Sequence, residues 1–217
     1  MGLLAHQFGS TEFQTSAKDL VKFELKSLIG RAVYGMKARS PRSKYLHVGS
    51  GNNIRGEFEN LDFYSFKKRA LPVSRHDLRY PLPYADQTFE GIFSEHCIEH
   101  LYPNQAVQML SELRRVLKPG GVLRVTCPDL EKYINFYIGK PTDPLFSMYE
   151  SGCEAIWSLT QNWGHISVWD AKMLTKKLRE VGFSEASQTN FREGRNPDLF
   201  IDKEDRRWET LYVEAVR

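Results

Sequence analysis

From residue 44 onward, short apolar runs alternate with longer stretches of helical spacing. The runs Tyr45 to Val48, Glu59 to Phe63, Ser74 to Asp77, Gly91 to Ser94 and Val122 to Cys127 predict successive strands. Helices are predicted at about Asn104 to Leu117 and Ala171 to Val181. In the first of these, Val107, Leu110, Leu113, Val116 and Leu117 share a face, and Lys118-Pro119-Gly120-Gly121 ends it and turns the chain into the next strand. Strands separated by helices imply right-handed crossovers and a parallel, doubly wound α/β sheet, whose ligands lie beyond the carboxyl ends of the strands. Alternation at Glu209, Leu211, Val213 and Ala215, within Ser187 to Arg217, predicts a terminal strand returning by a hairpin.

Ahead of this pattern, Ser16 to Ala38 sets Leu20, Phe23, Leu28, Ala32 and Met36 near helical spacing, which predicts one amphipathic helix packed on the main fold. Eight cations lie between Lys18 and Lys44 against only Asp19 and Glu24, so residues 1–43 read as a basic helical segment and 44–217 as the main domain. Contact with a membrane surface or nucleic acid is the sharper reading of that helix, and a solvated face the plainer one. Ser40-Pro41-Arg42-Ser43 marks the boundary. The net charge of +3 gives no strong nucleic-acid signal. No apolar run approaches the roughly 18 residues of a membrane span, and Met1 to Ser16 lacks the basic start and apolar core of a secretory signal, so a cytoplasmic chain is expected. Cys97, Cys127 and Cys153 are odd in number and widely spaced, which argues against a disulfide framework.

Two close glycines follow the first strand in His47-Val48-Gly49-Ser50-Gly51-Asn52-Asn53, where backbone N–H groups can approach a ligand that a Cβ would exclude. A dinucleotide site needs a third glycine and an acidic residue about 20 positions on. Position 54 is Ile and Asp62 comes too early, so that fingerprint fails and leaves little room for a helix between the first two strands.

The ordered series that begins with this turn continues through Asn60-Leu61-Asp62, His76-Asp77-Leu78, Pro81 to Glu90, Phe93-Ser94-Glu95-His96-Cys97-Ile98-Glu99-His100-Leu101, Glu112 to Gly121 and Val181-Gly182-Phe183. It resembles the class I S-adenosylmethionine-dependent methyltransferases, of the methyltransferase type 11-like kind, over nearly all of Lys44 to Arg217. The compact first crossover, Pro128-Asp129-Leu130 and Leu211 to Ala215 look like a small subgroup often associated with cell-surface polysaccharide synthesis. The resemblance implies a Rossmann-like, mostly parallel seven-stranded sheet with an antiparallel C-terminal strand, S-adenosylmethionine as cofactor, and a glycan or small-molecule acceptor methylated on oxygen.

On that resemblance Gly49, Ser50 and Gly51 meet the methionine part of the cofactor, with Asn52 and Asn53 offering amide contacts. Asp62 accepts the ribose hydroxyls, Asp77 accepts from the adenine amino group, the Leu78 backbone covers the ring edge, and Ser94 and His96 line the fourth-strand end. Glu131 to Asp170 is rich in Tyr, Phe and Trp, and reads as the acceptor pocket, its lid or a satellite core. Within it His165 is a candidate general base, with His96 as the second catalytic candidate.

No residue is assigned to a metal. His96, Glu99 and His100 nevertheless have the spacing of an inverted zinc-peptidase signature, although the surrounding fold is wrong for it. Some class I methyltransferases acting on RNA ends or quinone precursors bind a divalent ion through Glu-x-x-Glu-His and a later His, and here His96 replaces the first Glu while His165 could be the later ligand. The plainer reading has Glu99 and His100 holding a helix by hydrogen bonds. A noncatalytic cofactor-binding module is the remaining rival, suggested by His47 where many relatives are acidic.

Overall fold

In a computed structural model that describes residues 17–34, 39–63 and 72–217, seven strands form one sheet in the order β3-β2-β1-β4-β5-β7-β6. The strands are β1 (Tyr45–Val48), β2 (Phe58–Asp62), β3 (Ser74–Arg75), β4 (Phe89–Glu95), β5 (Leu117–Pro128), β6 (Glu185–Thr189) and β7 (Thr210–Val216). The first five pair in parallel, while β7 runs antiparallel between β5 and β6. The hairpin expected at the C-terminus is therefore β6–β7, and the expected sheet is present. Residues 49–57, between β1 and β2, contain no helix, as the early Asp62 requires.

The helices are α1 (Ala17–Tyr34), α2 (Pro103–Val116), α3 (Leu130–Tyr137), α4 (Gly152–Gln161) and α5 (Ala171–Glu180). Leu110 and Leu113 of α2 and Leu174 and Leu178 of α5 are fully buried with Val48, Ile92, Leu123 and Val213 of the sheet in one apolar core. Pro103 opens α2, where its missing N–H is harmless, and the Gln105 side chain accepts from the Tyr102 N–H at 3.2 Å. The helix ends at Val116, and Leu117 already pairs with Phe89. Lys118-Pro119-Gly120-Gly121 thus bulges out of β5 rather than preceding it, before Val122 pairs with Gly91.

Against the other sheet face pack Tyr45, Phe58, Phe93, Val122 and Leu199. His47 points to this face, its ring 5.2 Å from that of Phe93 and 6.0 Å from that of Phe58. Burial first, then the nearby Arg55 and Lys203 charges, lower its pKa to about 3, so it is a neutral packing residue. Arg124 of β5 lies on the same face with no exposed surface, and binds Asp202, Glu214 and the Asn190 and Glu193 carbonyls.

The aromatic stretch 131–170 forms a second, smaller core of its own. Tyr133, Phe146, Tyr149, Ala155 and Leu159 are buried together, with Phe136 and Trp208 against them. Here α3 and α4, neither foreseen from the sequence pattern, cross so closely that a Cβ on Gly152 would lie 2.5 Å from the Tyr137 Cα. Gly152→Ala is therefore expected to lower stability by about 1–3 kcal/mol, read as a reduced denaturant midpoint.

Of the apolar positions predicted for the N-terminal helix, Phe23 and Leu28 are among the residues whose side chains are described. The Phe23 ring lies 4.4 Å from that of Phe63 in a tilted contact, but Leu28 is exposed along with Val21, Leu25 and Ile29. Polar contacts help hold it, with Ser27 bonded to Asp77 and Glu24 to Arg79. Residues 1–16 and 35–38, which include the predicted helix end at Met36 to Ala38, lie outside the described residues.

Candidate functional site

The glycine turn leaves β1 beside the carboxyl end of β2. Gly49 N and Ser50 N both donate to the Leu61 carbonyl, at 2.9 and 3.2 Å, and Gly51 N donates to Asp62 Oδ2 at 2.7 Å. Sequence-predicted residues from two strands are thereby joined in one loop. Gly49 has φ +66°, and a Cβ there would lie 2.5 Å from Cys97 Sγ, so the turn also touches the segment after β4. Asn53 N closes the turn on the Ser50 carbonyl.

Buried polar atoms in this region fit a ligand that offers hydrogen bonds. Ser50 Oγ and Asn53 Nδ2, in the turn, and Ser94 Oγ, in β4, have no hydrogen-bond partner among the described residues. Asn52 is exposed at the loop tip. With the left-handed backbone at Gly49 and Gly51 and the Asp62 carboxylate alongside, this donor and acceptor set suits the amino acid and ribose parts of S-adenosylmethionine.

Asp77 is more committed than the sequence suggests. Its Oδ1 accepts from Arg79 N and Nε, and its Oδ2 from an Arg79 terminal nitrogen at 2.8 Å and Ser27 Oγ at 2.5 Å. Burial acts to raise its pKa, but Arg79 and Ser27 outweigh it and hold the carboxyl below its usual range. An adenine amino group would share Oδ2 with the N-terminal helix. The adjoining Leu78 packs on the main core.

Beyond β4 the chain turns sharply. His96 takes φ +47°, a conformation rare outside glycine, and the helix expected around Glu99 and His100 is a single 3₁₀ turn, Ile98–His100. This turn still gathers the predicted histidines. His96 Nδ1 is 3.5 Å and His165 Nε2 3.9 Å from Glu99 Oε1, and the His100 and His165 rings are 5.0 Å apart. His165 reaches this point because Trp163 and Gly164 both adopt positive φ, and because Ile166 N and Ser167 N donate to the Glu99 carbonyl.

Glu99 is not a helix-holding carboxylate. It is 1% exposed, and neither oxygen has a hydrogen-bond partner among the described residues. Burial raises its pKa to about 8. The same burial lowers His165 to about 4 and drives His96 and His100 down, so all three imidazoles are neutral near pH 7. Sequence reasoning did not foresee Thr210, on β7, whose Oγ1 lies 2.8 Å from His96 Nε2.

On the flank of the second core, Lys132, Asn135, Thr142, Asp143, Arg207 and Trp208 rim a hollow of about 440 Å³. Tyr137, Trp157 and Trp163 are exposed, whereas Trp169 is buried in the main core.

Comparison with known proteins agrees with this layout. Residues 56–125 match the family model described as a methyltransferase domain. No curated protein matches the chain. Among solved structures, a SAM-dependent methyltransferase from Archaeoglobus fulgidus is similar over 95% of this chain and 97% of its own, at 19% identity and a TM-score of 0.50. The S-adenosylmethionine-dependent methyltransferase SibL in its apo form is similar over 92% of this chain and 56% of its own, at 16% identity and the same score. At such identities the likeness establishes the fold, and the family model marks residues 56–125 as similar to a methyltransferase domain. The chain has the class I sheet seen in S-adenosylmethionine-dependent methyltransferases, and its residues 56–125 match a methyltransferase domain.

Proposed function

We propose that this chain is an S-adenosylmethionine-dependent methyltransferase that acts on a hydroxyl oxygen of a glycan or small molecule, with residues 131–170 contributing the acceptor site. The observation that carries the reading is the bond pair from Ile166 and Ser167 to the Glu99 carbonyl, which ties the aromatic stretch to the end of β4. Elements suited to an acceptor thereby adjoin the strand end that faces the cofactor in this fold. Exposed Tyr137, Trp157 and Trp163 offer aromatic faces for sugar rings, and the hollow beside Trp208 combines an aromatic side with polar groups. A cytoplasmic place in surface-polysaccharide synthesis is the context this reading carries.

When bound, S-adenosylmethionine supplies an electrophilic methyl group on a sulfonium. The residues of this chain provide position and a dry environment. The Gly49 to Asn53 backbone and amides hold the amino acid part, Asp62 accepts the ribose hydroxyls, and Asp77 with Leu78 borders the adenine. Ser94 and His96 face the acceptor side, and the His96 and His165 imidazoles are the groups to take up the hydroxyl proton. The residues need only align oxygen, methyl and sulfur, since no covalent enzyme intermediate is involved.

Incubation with methyl-labelled cofactor and separated glycan, small-molecule, RNA and protein fractions of a cell extract tests this directly. Label should enter the glycan or small-molecule fraction as an alkali-stable ether. Label confined to RNA or protein, or released by mild alkali as an ester, would contradict the proposal. At saturating acceptor, His165→Ala is expected to lower kcat by about 10²–10⁴-fold if its imidazole takes the proton, and unchanged turnover would remove it from that role.

A further inference from the structure

We propose that Glu99, His96, His100 and His165 form a binding site for one divalent ion of the Zn²⁺ class. Donor atoms of Glu99, His100 and His165 lie within 4.8 Å of one another, and His96 Nδ1 approaches the same carboxylate at 3.5 Å. Two donors at about 2.1 Å from a shared ion stand at most about 4.2 Å apart, so the group closes around an ion with small side-chain movements.

The outer hydrogen bonds give the cluster its direction. His165 Nδ1 lies 2.8 Å from the Leu159 carbonyl, which can only accept, so Nδ1 carries the proton and Nε2 presents its lone pair toward Glu99. His100 Nδ1 meets the Gly164 carbonyl at 3.3 Å and frees its Nε2 in the same way. The Thr210 hydroxyl donates to the Arg206 carbonyl, leaving Oγ1 to accept from His96 Nε2 and turning the bare Nδ1 to Glu99. Each imidazole is thus anchored by one nitrogen to an oxygen acceptor, the outer-sphere pattern that orients metal-ligating histidines.

The result is a buried carboxyl group facing three lone pairs, with no hydrogen-bond partner for either oxygen among the described residues. A cation at the centre satisfies all four groups at once, and because it occupies the free lone pairs of His96 and His165, those imidazoles take up the hydroxyl proton only in the ion-free chain. Three imidazoles and one carboxylate favour Zn²⁺, Co²⁺ or a similar borderline ion over Mg²⁺, which prefers oxygen ligands and retains its waters. His100 is the member on the exposed side, so the site can be loaded from solvent. The strained His96 backbone is consistent with a residue held in place for its donor atom.

The test uses the full chain without an affinity tag, stripped by chelator and reloaded with Zn²⁺ or, separately, Co²⁺. Wild type should retain one equivalent of Zn²⁺ through gel filtration, and Co²⁺ should give the intense visible bands of a four- or five-coordinate ion. Glu99→Gln, His165→Ala and the more exposed His100→Ala should each weaken Zn²⁺ binding at least 100-fold. Circular dichroism identifies any variant that fails to fold, and the remaining variants then decide. Wild type retaining less than a tenth of an equivalent, or folded variants binding as tightly as wild type, would overturn the site. S-adenosylhomocysteine binding, measured on the same stripped and loaded samples, separates this outcome from the cofactor reading. Cofactor binding without retained Zn²⁺ refutes only the metal site, and retained Zn²⁺ without cofactor binding refutes only the cofactor site.

Discussion

Gly49→Ala is expected to reduce S-adenosylhomocysteine binding below detection and to lower the thermal midpoint. Two effects act together at this position. An alanine at φ +66° carries the left-handed penalty of about 1–2 kcal/mol, and its Cβ would fall 2.5 Å from Cys97 Sγ and 2.7 Å from Cys97 Cβ, inside contact distance. Either β1 or the segment after β4 must shift, and both line the same site. Gly51→Ala is the informative control. Gly51 also has positive φ, but the nearest atom to its added Cβ is 4.0 Å away, so its penalty is conformational and the strand ends keep their spacing. Calorimetry and thermal melts on both variants check the contrast. Equal losses in the two would show that close approach to Cys97 is not what the first glycine provides.

Arg124→Met is expected to produce the largest loss of stability of any single change considered, about 3–5 kcal/mol. Arg124 and Asp202 side chains have no exposed surface, and Glu214 is almost as buried. Nε and a terminal nitrogen of Arg124 bond Asp202 at 2.9 and 2.8 Å, and the remaining donors reach Glu214 and two carbonyls. Removing the cation leaves two carboxylates in a region that no longer compensates them. Asp202 also accepts from Arg192 N, and Glu214 from Arg195 N, so the whole 190–203 segment should loosen from the sheet. By contrast, the Arg195–Glu185 pair is exposed on both sides, and Arg195→Ala should shift stability by less than about 1 kcal/mol. Denaturant midpoints measure both, and a small loss in Arg124→Met would mean the network does not fasten that segment.

The sheet was legible because its strands announce themselves as apolar runs. Tyr45 to Val48 matches β1 to the residue, and the early Asp62 correctly implied a helix-free first crossover. The bulge in β5 was not legible, because Pro-Gly-Gly signals a break without saying whether the break lies before a strand or inside it. Helices α3 and α4 escaped for a different reason. Their aromatic residues suit a binding lid and a satellite core equally, and only packing reveals that Tyr133, Phe146 and Tyr149 are core while Tyr137 and Trp157 are exposed.

The arrangement of the candidate site residues was legible where a short motif fixes them, and less so where distant segments meet. Gly49, Gly51 and Asp62 come together through bonds between neighbouring strands. The partners of Asp77 are 50 residues away in Ser27 and local in Arg79, and no spacing rule links the first pair. His165 was singled out for its imidazole, but its approach to Glu99 across more than sixty positions depends on positive φ at Trp163 and Gly164. Arg124 within Val122 to Cys127 was a polar signal left unread: a charge in the middle of a central strand calls for buried partners, and Asp202 and Glu214 supply them.

Asp62 offers the most direct test of the claim that the turn after β1 holds S-adenosylmethionine. Calorimetric titration of S-adenosylhomocysteine into wild type should give one site, and Asp62→Ala should weaken it by roughly 10–100-fold through loss of charged hydrogen bonds. No heat of binding in wild type, or an Asp62→Ala affinity equal to it, would contradict the assignment of this loop.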